Sequence, residues 1–315
     1  MKKFTLIYSI ISLTILLILF PGCEKDPSKE RDEYIRRAVS EVKSDSLEKY
    51  VLMLQNMQTR FCLADNHRDI AVKLKKKFIS FGYSDTKLDS FYLSYNYSGT
   101  LYNTWQYNVI ATLEGSDATD SVSIIGAHYD NKMSSGDLFT FIPGANDNAS
   151  GVAAALEIAR LMKKKSFVPK YTIKFVAFAA EEIGLLGSYD YAQKTDARNE
   201  KIIMMLNNDM IASPALSEPL TVNIIHYSNS TGLRVQAEKV CSEYTSLSYY
   251  SDNSLSNRSD SQPFYLNGFK PLFFIQKSLG SNYHTPNDVA SNCNFNYCRE
   301  IVKISYALLL EKNYN

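Results

Sequence analysis

Long apolar runs alternate with amphipathic stretches along most of the chain. Residues 31–58 are rich in charge and long aliphatics and predict a helix. Residues 67–81 predict a second, ended by Gly82. "LDSFYLSY" (88–95) alternates as a strand does, and "YNVIATLEG" (107–115) is another strand. "SVSIIGAHYD" (121–130) is a β-branched run that ends in polar residues. "ASGVAAALEIARLMKKK" (149–165) carries Val152, Leu156, Ala159 and Met162 at helical spacing, with Pro169 beyond its end. "YTIKFVAFA" (171–179) is too apolar for a strand with one wet face. Strands are also expected at 201–210, 220–226 and 270–276, and helices at 231–244 and from Phe295 to Leu310.

Strands that alternate with helices, several of them apolar throughout, predict an α/β fold: a mixed, mostly parallel central sheet with helices on both faces. Sites in such sheets form beyond the carboxyl ends of the strands. That places His128 and Asp130 after one strand, Glu181 and Glu182 after another, and Asp209 at the end of a third.

Composition narrows the picture. The chain has 315 residues, 45% hydrophobic and 21% charged, enough for a packed core. Lys+Arg is 34 against Asp+Glu 33, so no global basic surface argues for nucleic acid. Lys2 and Lys3 precede an apolar run from Phe4 to Phe20 and then "PGC", the pattern of an export signal over residues 1–22. Cys23 stands where a lipoprotein signal places its lipidated residue, which implies a membrane-attached cell-envelope protein. Residues 23–30 read as a polar tether, and 31–315 as a single domain. Cys293 and Cys298 are close enough for a small loop-closing disulfide, whereas Cys62 and Cys241 read as buried thiols. No CxxC pair exists, which argues against a thiolate zinc site.

The candidate chemistry is a set of histidines and acids at strand ends and in loops. "GAHYD" (126–130) holds His128 and Asp130, and "GANDNASG" (144–151) holds Asp147 in a glycine frame that lets the backbone bend sharply. "FVAFAAEEIGLLGS" (175–188) ends an apolar strand in Glu181 and Glu182, "LNNDM" holds Asp209, and "NYHTPND" (282–288) puts His284 in a loop. Each residue alone has an ordinary structural reading. Together, two imidazoles and several carboxylates without thiolates suit a pair of zinc-like ions. Two divalent cations would also balance the charge of three buried carboxylate ligands and a hydroxide.

These five motifs, in this order and spacing, resemble the co-catalytic zinc aminopeptidase family, which also contains the glutaminyl cyclases. The resemblance spans roughly residues 105–312. It implies the zinc exopeptidase fold and two Zn2+ per chain. Asp147 would bridge both ions, with His128 and Asp209 completing one site and Glu182 and His284 the other. Glu181 would be the general base that activates a metal-bridging hydroxide, and Asp130 would orient His128. Tyr283 could help polarise the substrate carbonyl. Asp260, in "RSDSQPF", would be a second acid near the site, and the Asp147–Asn148 peptide a candidate for the cis form.

The function so implied is hydrolysis of the N-terminal bond of peptides with a free amino terminus. Alternatives are a glutaminyl cyclase, a carboxypeptidase, or a non-catalytic envelope binding protein on the same scaffold. The pocket is expected to draw on loops 132–143 and 277–283. Leu138, Phe139 and Phe141 would either line it or pack their own loop.

Overall fold

A computed structural model describes residues 26–214 and 220–314. The expected signal segment 1–22 and Cys23 lie outside the described residues. Three helices open the fold: α1 (Pro27–Val39), α2 (Ser44–Gln55) and α3 (His67–Ser80). Residues 27–30 of the expected tether are helical. Asp26 accepts from the Ser28 N–H and caps α1, with Pro27 in its first turn, where a missing N–H costs nothing. The one helix expected over 31–58 is two. Lys43 is extended (φ −117, ψ 131), and Ser44, Asp45 and Ser46 restart the helix with residues that favour its first turn. The break lets both Val39 and Val42 reach the core.

Five further helices follow: α4 (Ser150–Lys164), α5 (Leu186–Ala197), α6 (Thr231–Tyr244), α7 (Ser261–Leu266) and α8 (Phe295–Asn313). The strands are β1 (Thr86–Tyr97), β2 (Thr100–Leu113), β3 (Ser121–His128), β4 (Thr172–Phe178), β5 (Lys201–Asn208), β6 (Thr221–His226), β7 (Ser248–Tyr250) and β8 (Pro271–Gln276). They form one sheet in the order β1-β2-β4-β3-β5-β8-β6-β7. The central pairings β4–β3, β3–β5 and β5–β8 are parallel, as is the short β6–β7 pairing. The pairings β1–β2, β2–β4 and β6–β8 are antiparallel.

β3 is buried at every position, as a parallel strand covered on both faces must be. Its side chains alternate between two cores. Ile125 and Ala127 join the larger one with residues of α2, α4, α6 and α8. Val122 and Ile124 join a smaller one with Tyr191 of α5 and Phe264 of α7. Because β3, β4, β5 and β8 are mutually parallel, their carboxyl ends open on one edge of the sheet. Hence His128, the two glutamates, Asp209 and the loop bearing His284 meet there.

Cys62, Cys241, Cys293 and Cys298 are all free thiols. The loop-closing disulfide is not formed: the Cys293 thiol turns back to the Val289 carbonyl at 3.7 Å, while Cys298 is fully buried in α8.

Candidate metal centre

The chain between Gly144 and α4 is a tight irregular turn, Ala145–Ala149, in which Asp147 and Asn148 leave helical geometry and are joined by a cis peptide bond. Its polar side chains lace it to the exit of β5. Asn146 Oδ1 accepts from the Ala212 N–H at 2.8 Å, and Asn148 Nδ2 donates to Asn208 O at 3.0 Å. Ser150 Oγ donates to Asn146 O at 2.7 Å and accepts from the Ile211 N–H at 3.2 Å. Gly151 is required for this approach, since a Cβ there would stand 2.0 Å from Asn208 O. Ala180, Leu185, Met210 and His284, all non-glycine residues at positive φ, sit beside the same edge. Left-handed backbone at such residues is uncommon and gathers at functional sites.

The six expected side chains converge. His128 Nε2 lies 3.3 Å from Asp147 Oδ1, 3.4 Å from Asp209 Oδ1 and 4.0 Å from Glu181 Oε2. His284 Nε2 lies 3.0 Å from Asp147 Oδ2 and 3.1 Å from Glu182 Oε2. Asp147 thus gives one oxygen to each of two donor groups: His128, Asp147 and Asp209, and Asp147, Glu182 and His284. Glu181 and Glu182 form a further group with His128.

Asp130 stands beside His128. Its main-chain oxygen, at 3.1 Å, is nearer His128 Nδ1 than its carboxylate, at 3.7 Å. The carboxylate also accepts the main-chain N–H groups of Glu181 and Glu182. The Tyr283 ring stacks on His284 with centroids 3.8 Å apart. Asp260 is fully buried and does not line the cavity.

So many acids in a buried place perturb one another. Burial raises Glu181 well above the usual carboxylate range, Glu182 and Asp260 add to the rise, and His128 opposes it. Burial and the charge of Asp147 lift Glu182 to about 7. Burial also lifts Asp260 to about 7. Asp147 goes the other way: burial would raise it, but His128 and His284 hold it far below its ordinary value.

The donors fit a cation. Glu182 Oε1, Asp209 Oδ1 and His284 Nε2 are buried without a hydrogen-bond partner, although acceptors and donors crowd around them. Orphaned buried atoms of this kind are costly unless something else satisfies them. The other Asp209 oxygen is held by Ser259 Oγ at 2.7 Å, which in turn accepts from Asn207 Nδ2 at 2.6 Å. Nitrogen and oxygen donors without sulfur match zinc sites built on His and carboxylates.

These groups form the floor of a cavity of about 400 Å³. Met210, Leu255, Phe273, Ile275, Leu279 and Tyr283 make an apolar wall. Of the loop 132–143 only Lys132 reaches the cavity. Leu138 is buried elsewhere, Phe139 packs on Phe61 and Tyr102, and Phe141 is exposed, so that loop packs itself. Sequence reading assigned no role to Arg60 or Asp288. Arg60 is fully buried beside the centre, and Asp288 accepts the N–H groups of Asn146 and Asp147. A signal existed for each: an arginine set before the apolar run "FCLA", and an aspartate at the end of an already suspect motif.

Residues 108–309 match Peptidase family M28. A probable leucine aminopeptidase of Arthroderma otae is 31% identical over 206 residues, 63% of this chain and 55% of the relative. A probable zinc metalloprotease of Pyrenophora teres f. teres is 41% identical over 114 residues, 36% of this chain and 24% of the relative. The chain thus spans about half the length of the curated leucine aminopeptidases it matches. Among solved structures, an aminopeptidase from Aneurinibacillus sp. strain AM-1 aligns with a TM-score of 0.73 at 17% identity, covering 90% of this chain and 96% of that one. A Bacteroides thetaiotaomicron glutaminyl cyclase aligns with a TM-score of 0.66 at 19% identity, covering 85% and 98%. Identities this low speak for the fold alone. The family match runs from the second half of β2 into α8 and takes in all six converging side chains, and on that ground the chain belongs to Peptidase family M28.

Proposed function

We propose that the protein is an exported zinc-dependent aminopeptidase. The observation that carries this reading is Asp147, whose two oxygens face separate His-and-carboxylate groups at the floor of one cavity. His128, Asp147 and Asp209 would hold one zinc ion, and Asp147, Glu182 and His284 a second. When bound, such a pair polarises a carbonyl and makes water a nucleophile near neutral pH.

The chain's own groups supply the rest. Glu181 lines the cavity beside His128, within reach of a water and a peptide on the floor. Its carboxylate takes the proton of the attacking water and passes it to the leaving amine. The free amino terminus of the substrate is drawn to the acids of the floor, which favours cleavage of the first bond. The apolar wall takes an apolar first side chain. Tyr283, which stacks on His284 and lines the cavity, would donate its hydroxyl to the substrate carbonyl. Asp130 acts by holding the two glutamates.

Mass spectrometry of peptide products tests the reading. A free first residue should appear from a peptide beginning with leucine. Loss of ammonia from a peptide beginning with glutamine, with no residue released from either, would replace it with a cyclase. Export and lipid attachment draw support from Lys2, Lys3, the apolar run to Phe20 and Cys23. A labelled fatty acid should be incorporated into the parent chain and not into Cys23→Ser, and a parent chain that takes up no label would contradict lipid anchoring.

A further inference from the structure

Arg60 buries its whole side chain, and among the described residues its guanidinium donates its hydrogen bonds to main-chain carbonyls. Nε donates to Tyr129 O at 2.8 Å. Nη1 donates to Leu54 O at 3.2 Å and to Pro143 O at 3.0 Å, and Nη2 to Gly144 O at 2.6 Å. The Arg60 N–H meets Asn131 Oδ1 at 3.0 Å, and Asn131 Nδ2 donates to Ile142 O at 2.8 Å. Residue 60 therefore grips both the exit of β3 and the chain entering the Asp147 turn. A dry cation is costly even with the carboxylates of Asp288, Asp147, Asp130 and Glu182 acting on it, so its position needs a reason.

Asp288 grips the same turn from the other side. Its main-chain oxygen accepts from the Ala145 N–H at 2.9 Å. Oδ1 accepts from the Asn146 N–H at 2.8 Å, and Oδ2 from the Asp147 N–H at 3.0 Å. Across residues 143–147 the cation thus takes the first two carbonyls and Asp288 the next three amides. The guanidinium faces carbonyl oxygens and the Asp288 carboxylate faces the Asn146 and Asp147 amides, the stronger kind of hydrogen bond, whereas the Ala145 amide meets a neutral main-chain oxygen. Gly144, at φ +50, makes the approach possible, because a Cβ there would stand 2.7 Å from Arg60 Nη2.

We propose that Arg60 and Asp288 are a pair of positioning residues that clamp residues 143–147 and so aim both oxygens of Asp147 at the two donor groups. The proposal rests on the reading of Asp147 as a shared metal ligand. It also makes the N-terminal segment part of the working centre, since Arg60 lies outside the family match of 108–309.

The test is zinc affinity of the folded, metal-stripped full chain, read by competition with a chromogenic chelator well below the unfolding temperature. Circular dichroism melts run in parallel. The variants are Arg60→Lys, Arg60→Met and Asp288→Asn. Each should weaken binding of both ions by about 10–100-fold, the usual effect of losing an outer partner of a ligand. Arg60→Lys should not rescue, because an ammonium has no planar fork with which to span these carbonyls. The clamp is overturned if Arg60→Lys or Asp288→Asn binds both ions as tightly as the parent. It is also overturned if affinity falls only in step with the unfolded fraction, as a merely structural role requires. Should the Arg60 variants fail to fold, Asp288→Asn decides by the same criteria. A parent chain that binds no zinc removes the metal reading itself, whereas a parent that binds two and variants that match it remove the clamp alone.

Discussion

Asp130 holds Glu181 by its backbone: Oδ1 accepts the Glu181 N–H at 3.1 Å, while Oδ2 accepts the neighbouring Glu182 N–H at 3.2 Å. One carboxylate from the end of β3 thereby fixes the tip of β4, where the next two side chains diverge into the cavity. Asp130→Asn leaves one carbonyl oxygen for two amides and turns an NH2 toward the other. Turnover should fall by about 10–100-fold with little change in KM, because the outer partner is lost and not a substrate contact. Steady-state kinetics on an aminoacyl chromogenic substrate checks this, and a variant with parental kcat would mean that the bridge is dispensable.

Glu181 and Glu182 should separate by role. Glu181→Gln keeps the shape and removes the proton carrier, so kcat should drop by about 10²–10⁴-fold while metal content stays at the parental value. Glu182→Gln should instead lower metal content. Elemental analysis beside kinetics distinguishes the two, and loss of metal from Glu181→Gln would reassign that residue as a ligand.

Metal uptake should release protons. Burial pulls His284 down, but Asp147 and Glu182 push it further up, to about 10 in the metal-free chain. His128 is raised as well, since Glu181, Asp209 and other nearby carboxylates outweigh its burial. Both imidazoles thus hold the protonated, cationic form more tightly than a free imidazole does, and a cation needs them neutral. Apparent zinc affinity should climb as pH rises toward about 10, the value to which His284 is raised. Titration calorimetry in buffers of different ionisation enthalpy should show net proton release at pH 7, and a heat independent of buffer would count against the two-histidine site.

Gly151→Ala should be costly for its size. The added Cβ would meet Asn208 O at 2.0 Å and Asn148 Oδ1 at 2.5 Å, both held in the lacing between the Asp147 turn and β5. Overpacking of this kind costs about 1–3 kcal/mol. A lowered denaturant midpoint with unchanged slope is expected. Parental stability would show that the turn yields easily.

What could be read from sequence, and what could not, follows from where each residue's partners lie. His128, Glu181, Glu182 and Asp209 stand where apolar strands stop, and a parallel sheet gathers such positions at one edge whatever the loops do. Arg60 stands out before an apolar run, but its role is not legible, because its partners are main-chain carbonyls of Leu54, Tyr129, Pro143 and Gly144, which any residue would offer. α5 was missed because its buried stripe is Gly187, Ser188, Tyr191, Ala192 and Thr195, mostly small or polar. The role of Asp130 was half legible. Its place beside His128 was evident, but its carboxylate serves residues a whole strand and helix away in the chain.

The most direct measurement is release of the first residue from an unblocked leucyl peptide, followed with and without a strong chelator and then with zinc restored. Release that stops on chelation, returns with zinc and never occurs on the N-acetylated peptide is the expected result. Release that survives chelation, or cleavage of the acetylated peptide at the same rate, would contradict a zinc aminopeptidase.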